Sequence, residues 1–342
     1  MTKIFLNTLY VGTQNALVRL ENDQIRVEHG GEQILRVPLH QLGTIMLFGL
    51  VHATVPLMTR CADDGRAFVF MTEYGRFRAR IQGKTSGNVL LRQAQYRAFD
   101  SLPTAVEFCR TVVAGKVQNQ RFVLLRGARE ADPPRATELS NAAETLAYLL
   151  IQLPDCQQIN EIRGIEGMAA QSYFEVFGHL VKSQRTEFSF ESRSRRPPRD
   201  RANCLLSFLY SLFTSDCVAA LEGVGLDPQY GCLHVLRPGR PSLALDLVEE
   251  FRAVILDRLC LSLINRRQVT DADFVQREGG SVSLTDEGRK KLLVAYQRRK
   301  QEEVRHQLFK EKVPIGLLPH VQARILARFL RGDIPGYRPF TP

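Results

Sequence analysis

Apolar residues change their period once along this chain. Up to about residue 80 they fall in short runs rich in β-branched and aromatic residues, and beyond about residue 88 they recur every three or four positions. Lys3–Val11, Ala16–Leu20, Gln24–Glu28, Gln33–Pro38 and Thr44–Leu47 carry the first pattern and read as strands. Glu21-Asn22-Asp23 and Gly30-Gly31 separate them, residues suited to tight turns. Val55–Cys61 reads as one helix, followed by a buried strand over Ala67–Met71 and a turn at Tyr74-Gly75-Arg76. The second pattern predicts helices over Leu90–Phe99, Pro103–Arg126, Thr137–Gln152, Glu161–Leu180, Ala202–Leu221, Leu243–Arg266, Thr285–Lys310 and Leu318–Leu330. The fold class is therefore α+β: a small β-rich N-terminal domain, residues 1–85, then a larger all-α domain, 86–342, with a linker around Gly83–Gly87. Ser192–Arg201 (SRSRRPPRDR) is too rich in Pro and Arg to be a core helix.

Composition narrows the class of partner. The 342 residues are 44% hydrophobic, enough for a sizeable core and about two domains. A net charge of +10 favours a polyanionic partner. The first residues, MTKIFLNTLYVG, lack the charged-then-apolar layout of a secretion signal. No apolar run is read as reaching the roughly 20 residues of a membrane span, so a cytoplasmic protein is expected. The seven cysteines are scattered without a CxxC pair, which points to reduced thiols rather than a disulfide frame or a zinc cluster.

Candidate chemistry concentrates in Gly231–Arg252, GCLHVLRPGRPSLALDLVEEFR. His234 sits in a Gly/Pro-bounded loop. Asp246 and Glu249 follow three apart in an apolar run where Leu245, Val248, Phe251, Ile255 and Leu259 fall on one side of a helix. Residues three apart share a helix face, so both carboxylates can point at one place. A loop histidine beside two carboxylates is a mixed N/O site for a divalent cation, suited to metal-assisted phosphodiester chemistry. Blander readings stand beside this one. His234 could be a hydrogen-bonded loop histidine, and the acids could serve the helix dipole with Ser242 as cap. The latter is weaker for Asp246, which lies between Leu245 and Leu247 and, if buried, needs a partner such as Arg240 or a metal.

Glu166 lies in NEIRGIEGMAAQSYFEVF, on a helix face with Arg163, Ala170 and Tyr173. It is either a solvated surface acid, or its small neighbours Gly167, Ala169 and Ala170 let another helix or a nucleic-acid backbone approach. Lys182–Arg201 is a basic cluster interleaved with Phe188 and Phe190; it either binds phosphates or solvates a surface.

Taken in order, the Glu of IEG, NCLLSFLYSLF, GCLHVLRPGRPSLALDLVEEFR, LINR at Leu263–Arg266 and the closing KVPIGLLPHVQARILARFL give a pattern that resembles the CRISPR-associated integrase-endonuclease family, the universal spacer-acquisition nuclease. The likeness spans essentially the whole chain and looks like the type I lineage, subtype I-C. It implies a metal site of Glu166, His234 and Glu249 holding Mg2+ or Mn2+, with Asp246 as a further catalytic acid and Asn203 in a structural place. It also implies double-stranded DNA as partner, with Arg237 in a slot beside it; Arg163, Tyr173, Lys182, Arg185 and Arg240 are further candidate DNA contacts. The expected assembly is a homodimer through the β-rich domain, joined to a small dimeric adaptation partner as a heterohexamer. The expected reaction is insertion of spacers by 3′-hydroxyl transesterification. Two alternatives remain open: a stand-alone structure-selective DNA nuclease, and a basic DNA-binding scaffold without chemistry. A hydrolase of small substrates fits poorly with the charge and lacks an HExxH motif.

Overall fold

The computed structural model describes residues 8–84, 89–195 and 197–342. Lys3–Asn7 of the first predicted strand, Thr85–Gly87 of the predicted linker and Arg196 of the basic segment lie outside the described residues. The chain divides into two compact units, Met1–Ser86 with Leu293–Gln301, and Gly87–Leu292 with Glu302–Pro342.

In the first unit the short β-branched runs build two four-stranded sheets. Its elements are β1 (Thr8–Val11), β2 (Leu17–Glu21), β3 (Gln24–His29), β4 (Glu32–Pro38), β5 (Thr44–Phe48), β6 (His52–Ala53), α1 (Val55–Asp63), β7 (Ala67–Met71) and β8 (Phe77–Ile81). One sheet runs β1-β5-β7-β8, parallel except for the antiparallel β7–β8 pair; the other runs β4-β3-β2-β6. Asn22 and Asp23 close the β2–β3 hairpin with φ of 49° and 57°. Both angles are left-handed, which short polar side chains tolerate and which matches the twist of the strands. Val18, Ile25, Val27, Ile45, Leu47, Leu57 and Phe68 share the core. The strands β6 and β8 are additions to the sequence reading. Phe77, Arg78 and Ala79 of β8 are exposed, so no alternation betrays it.

The second unit holds α2 (Val89–Asp100), α3 (Leu102–Ala128), α4 (Pro133–Gln152), α5 (Ile159–Glu175), α6 (Arg201–Val224), α7 (Ser242–Glu249) and α8 (Arg258–Asn265). Hairpin strands β9 (Phe274–Gln276) and β10 (Val282–Leu284) follow, then α9 (Asp286–Gln301), β11 (Glu303–Arg305), β12 (Lys312–Pro314) and α10 (Leu318–Leu330). The α+β class stands, but the expected all-α character of 86–342 is corrected by these two hairpins. The predicted helix Thr285–Lys310 ends at Gln301, and the last part of α9, Leu293–Gln301, groups with the first unit.

α6 has the length and, at 1.6 over its most apolar window, the mean hydropathy of a membrane span, contrary to the expectation that no run reaches one. Here Leu205, Leu206, Leu209, Leu212 and Phe213 are buried within the unit, and α6 packs on α7 and α10. Asn203 is fully buried in its first turn and accepts from Arg193 and from Ser194 N, tying the basic segment down. The predicted helix Leu243–Arg266 is three pieces: α7, a π-helical turn over Arg252–Asp257, and α8. Apolar side chains are buried on nearly every side of this segment, so its periodicity runs through the wide turn unchanged.

Candidate metal centre

The site lies within the second unit and starts from Asp246. Its side chain is fully buried on α7, where an unpartnered carboxylate would be strongly destabilising. The loop main chain, rather than Arg240, supplies hydrogen bonds that compensate it. Oδ2 accepts from the main-chain N–H of Cys232 and Leu233 at 2.9 and 3.1 Å, and Oδ1 accepts from His234 N at 2.9 Å. The loop therefore wraps the carboxylate. Gly231 makes this approach possible, because a Cβ there would stand 2.5 Å from Asp246 Oδ2 and 2.6 Å from Leu243 N. Ser242 does not cap α7; its hydroxyl donates to Val235 O in the loop at 3.4 Å, and Pro228 O accepts from Leu243 N and Ala244 N.

His234 is fixed by the same acid. Its Nδ1 lies 2.7 Å from Asp246 Oδ1, which makes Nδ1 the protonated ring nitrogen and leaves Nε2 as a lone-pair donor. Nε2 faces Glu249 Oε1 at 3.6 Å. The three-residue spacing thus sets one carboxylate at each nitrogen of a single imidazole. From α5, Arg163 clamps the loop: its Nε donates to Leu233 O at 2.6 Å and its Nη2 to Cys232 O at 3.0 Å.

Glu166 comes in from α5 and is partly exposed. The neighbour that its small flanking residues admit is α3, and the group that meets it is Lys116. The Lys116 side chain is 5% exposed; its ammonium donates to Glu166 Oε1 and lies 2.8 Å from Glu249 Oε2. This second contact is an ion pair off the hydrogen-bond line, so Glu249 Oε2 is a buried oxygen with no aligned donor. On the other side Arg252 Nη2 reaches Glu249 Oε1 at 3.0 Å. Burial pushes the Glu249 carboxyl up, but the charges of Arg252 and Lys116 more than offset it and hold it at about 2. Glu249 is therefore a carboxylate at neutral pH.

Beyond Glu249 a polar network braces the π-helical turn. The Arg252 guanidinium stacks 4.8 Å from the centre of the Tyr210 ring. Asp257 accepts from Tyr210 at 2.5 Å and from Tyr173 at 3.0 Å. Burial pushes the Asp257 carboxyl up to about 6. Glu250, next to Glu249, is fully buried and accepts from Tyr337 at 2.6 Å and Gln322 at 2.9 Å, and burial pushes it up to about 7.

Among the described residues, no group of three or more His, Cys, Asp and Glu side chains stands at ligand distance around a common point. The Lys116 ammonium stands there instead. The donor set nevertheless suits a hard or borderline divalent cation: one imidazole nitrogen and two carboxylates, one of which, Glu249, has a buried oxygen without an aligned donor. All seven cysteines are free and buried, and Cys232 turns its Sγ to Cys109 Sγ at 3.4 Å rather than to the site.

Residues 9–298 match the family model described as CRISPR associated protein Cas1. A CRISPR-associated endonuclease Cas1 of Moorella thermoacetica is 52% identical over 338 residues, 98% of each chain. This chain belongs to the Cas1 family. As a Cas1 protein it is an enzyme, a CRISPR-associated endonuclease. The Cas1 fold recurs in a casposase bound to integration product, with a TM-score of 0.83 and 21% identity over 97% of this chain and 92% of that one. It recurs also in a Cas6-RT-Cas1–Cas2 complex, with a TM-score of 0.84 and 21% identity over 99% of this chain and 36% of that one.

In this Cas1 chain the three predicted catalytic acids and the imidazole, Glu166, Asp246, Glu249 and His234, come together from α5, one loop and α7. The residues expected at DNA fare differently. Tyr173 is fully buried with its hydroxyl on Asp257, so it is not at the surface where a DNA contact would need it. The Arg163 guanidinium is engaged by the loop carbonyls. Lys182 pairs with Glu130, and Arg185 Nε donates to Val181 O. Arg237 is exposed in the loop after His234, and Arg240 is half-buried with Nη1 3.3 Å from Val235 O. Sequence reasoning missed Lys116 and the roles of Arg252 and Arg163. One signal for Lys116 was available: it shares a helical face with Val112, Val113, Asn119, Gln120 and Val123, all buried, and a lysine at that phase demands an anionic partner.

Proposed function

We propose that Glu166, His234 and Glu249 hold one divalent cation, Mg2+ or Mn2+, and that the chain uses it to cleave and join DNA in CRISPR adaptation. The observation that carries this reading is the meeting of Glu166 and Glu249 on one buried cation, beside the free Nε2 face of His234. Such an ion supplies a Lewis acid for a phosphodiester oxygen. The protein's own groups do the rest. Asp246 holds the proton on Nδ1 and orients the imidazole. Arg163 clamps the loop that carries it. Arg252 keeps Glu249 ionised. Arg237 and Arg240, beside His234 in sequence, offer charge to the DNA backbone, and the overall charge of +10 suits double-stranded DNA.

In this reading a 3′-hydroxyl end of prespacer DNA attacks a phosphodiester of the repeat, and the displaced strand leaves with its own 3′-oxygen. The casposase relationship in fold is consistent with strand transfer, and a Cas1–Cas2 complex of the same fold is consistent with a small dimeric partner. Residues 1–85 serve as the dimerisation domain and 86–342 as the catalytic domain of a homodimer, assembled as a heterohexamer in the prokaryotic cytoplasm of a type I, subtype I-C system. β4, an edge strand with Ile34 and Leu35 at 51% and 40% exposure, supports an interface on the β-rich unit.

The test is a strand-transfer assay with the purified chain, its small partner, a 3′-hydroxyl duplex and a supercoiled repeat plasmid, in Mn2+ or Mg2+, repeated with His234→Ala. Metal-dependent joined product that is lost in the variant is expected. Cleavage without joining would favour a stand-alone structure-selective nuclease. DNA binding with neither reaction would return the scaffold reading.

A further inference from the structure

We infer that Lys116 is the site's built-in stand-in for the metal: its ammonium holds Glu166 and Glu249 in place while the site is metal-free, and it withdraws past Glu166 when a divalent cation enters. The inference rests on the reading of Glu166 and Glu249 as metal ligands.

Four observations lead to it. Lys116 projects from the interior of the 27-residue helix α3 into the unit, where Val112, Val113 and Val117 leave its charge no solvent. A buried ammonium is tolerable only when paired, and both of its partners are proposed ligands. Among the described residues Lys116 is the hydrogen-bond donor on Glu166, so without it that carboxylate loses the contact that fixes its position in the site. The contact with Glu249 is a 2.8 Å charge contact without hydrogen-bond alignment, a geometry that a divalent ion bound to the same oxygen improves on.

Charge decides the rest. The three carboxylates of Asp246, Glu166 and Glu249 against Lys116 and Arg252 sum to −1, whereas the same carboxylates against Arg252 and a divalent ion are neutral. Keeping ammonium and ion together against the same two oxygens would set like charges side by side in a buried site, which is strongly unfavourable. Arg252 already occupies the far oxygen of Glu249, so retreat is blocked on that side. Glu166, at 29% exposure, marks the open side. Lys116 thereby sets the affinity for the ion: the site stays assembled without metal, and the metal must outcompete a resident charge.

The experiment is titration calorimetry with MnCl2 on the full-length wild type, Lys116→Met and Lys116→Arg, together with thermal melting in EDTA. Lys116→Met is expected to bind Mn2+ at least tenfold more tightly and to melt lower in EDTA, with a larger rise in Tm on adding Mn2+. Lys116→Arg, which keeps the charge, is expected to bind within about threefold of wild type. If Lys116→Met does not fold, Lys116→Gln is measured in its place with the same expectation. Wild-type binding with no gain in the neutral variant overturns this inference alone, as does an equal gain in Lys116→Arg, which would assign the effect to packing. Absence of Mn2+ binding by the wild type overturns the ligand reading itself.

Discussion

Asp246 lies 2.7 Å from Nδ1 of His234 and also receives three main-chain N–H groups from the loop that bears that histidine. The acid is therefore saturated with donors and acts on the imidazole and its loop rather than as a ligand. Removing it is expected to do two things at once. Asp246→Ala should weaken Mn2+ binding about 10–100-fold and should lower stability by about 1–3 kcal/mol for the unpaired loop amides. Calorimetry and urea unfolding measure the two separately. Wild-type metal affinity in a destabilised variant would reduce Asp246 to a structural acid.

The three proposed ligands should behave otherwise. Glu166→Ala, His234→Ala and Glu249→Gln are expected to lose cleavage and strand transfer by about a hundredfold or more, with the fold retained by circular dichroism. Normal integration by His234→Ala would sink the assignment.

Gly231 is bound to Asp246 by space rather than by a bond. Gly231→Ala puts a methyl 2.5 Å from Asp246 Oδ2 and 2.6 Å from the main chain at Leu243. Neither group can yield without breaking the loop, so a loss of about 1–3 kcal/mol is expected, with metal binding weakened in parallel. Unfolding curves in the presence and absence of Mn2+ check both.

The buried acids fix the sign of a pH dependence. Burial raises the Asp257 carboxyl from 3.8 to about 6 and the Glu250 carboxyl from 4.5 to about 7. Between those limits the folded chain holds protons that the unfolded chain has released. The penalty of burying them ionised is full above pH 7 and is relieved as the pH falls toward 4. Glu249, held at about 2, works in the opposite sense, and its contribution is lost as the pH falls from 4.5 toward 2. Stability in EDTA should therefore rise from pH 8 to about pH 5 and fall at lower pH. Asp257→Asn should flatten part of the rise, by about 1 kcal/mol. An unchanged slope in that variant, measured by urea unfolding, would show that another group titrates.

Arg237 is the exposed cation nearest to His234 in the loop. Charge reversal, Arg237→Glu or Arg240→Glu, is expected to weaken DNA binding at every sequence and to reduce the log–log salt slope by about one for each phosphate that the arginine neutralises. Fluorescence anisotropy at salt concentrations from about 50 to about 200 mM reads the slope; a slope equal to wild type would place the DNA elsewhere.

Local geometry made part of this legible in advance. Short apolar runs and turn residues located β2, β3, β5 and β7, because strand propensity and left-handed turn angles are properties of a few consecutive residues. The spacing of Asp246 and Glu249 determined that they share a side of α7, since three residues is nearly one helical turn. A family pattern, not spacing, attached Glu166. The tertiary structure alone decided that Lys116, 50 residues before Glu166, reaches it. It alone turned Tyr173 inward onto Asp257 and broke the long helix at a π-helical turn. Periodicity records which face of a helix is apolar, but where every face is buried, as from Ser242 to Asn265, it loses the turn count. A buried charge in turn announces only that it needs a partner; which partner depends on how α3, α5 and α7 pack, and no run of neighbouring residues encodes that.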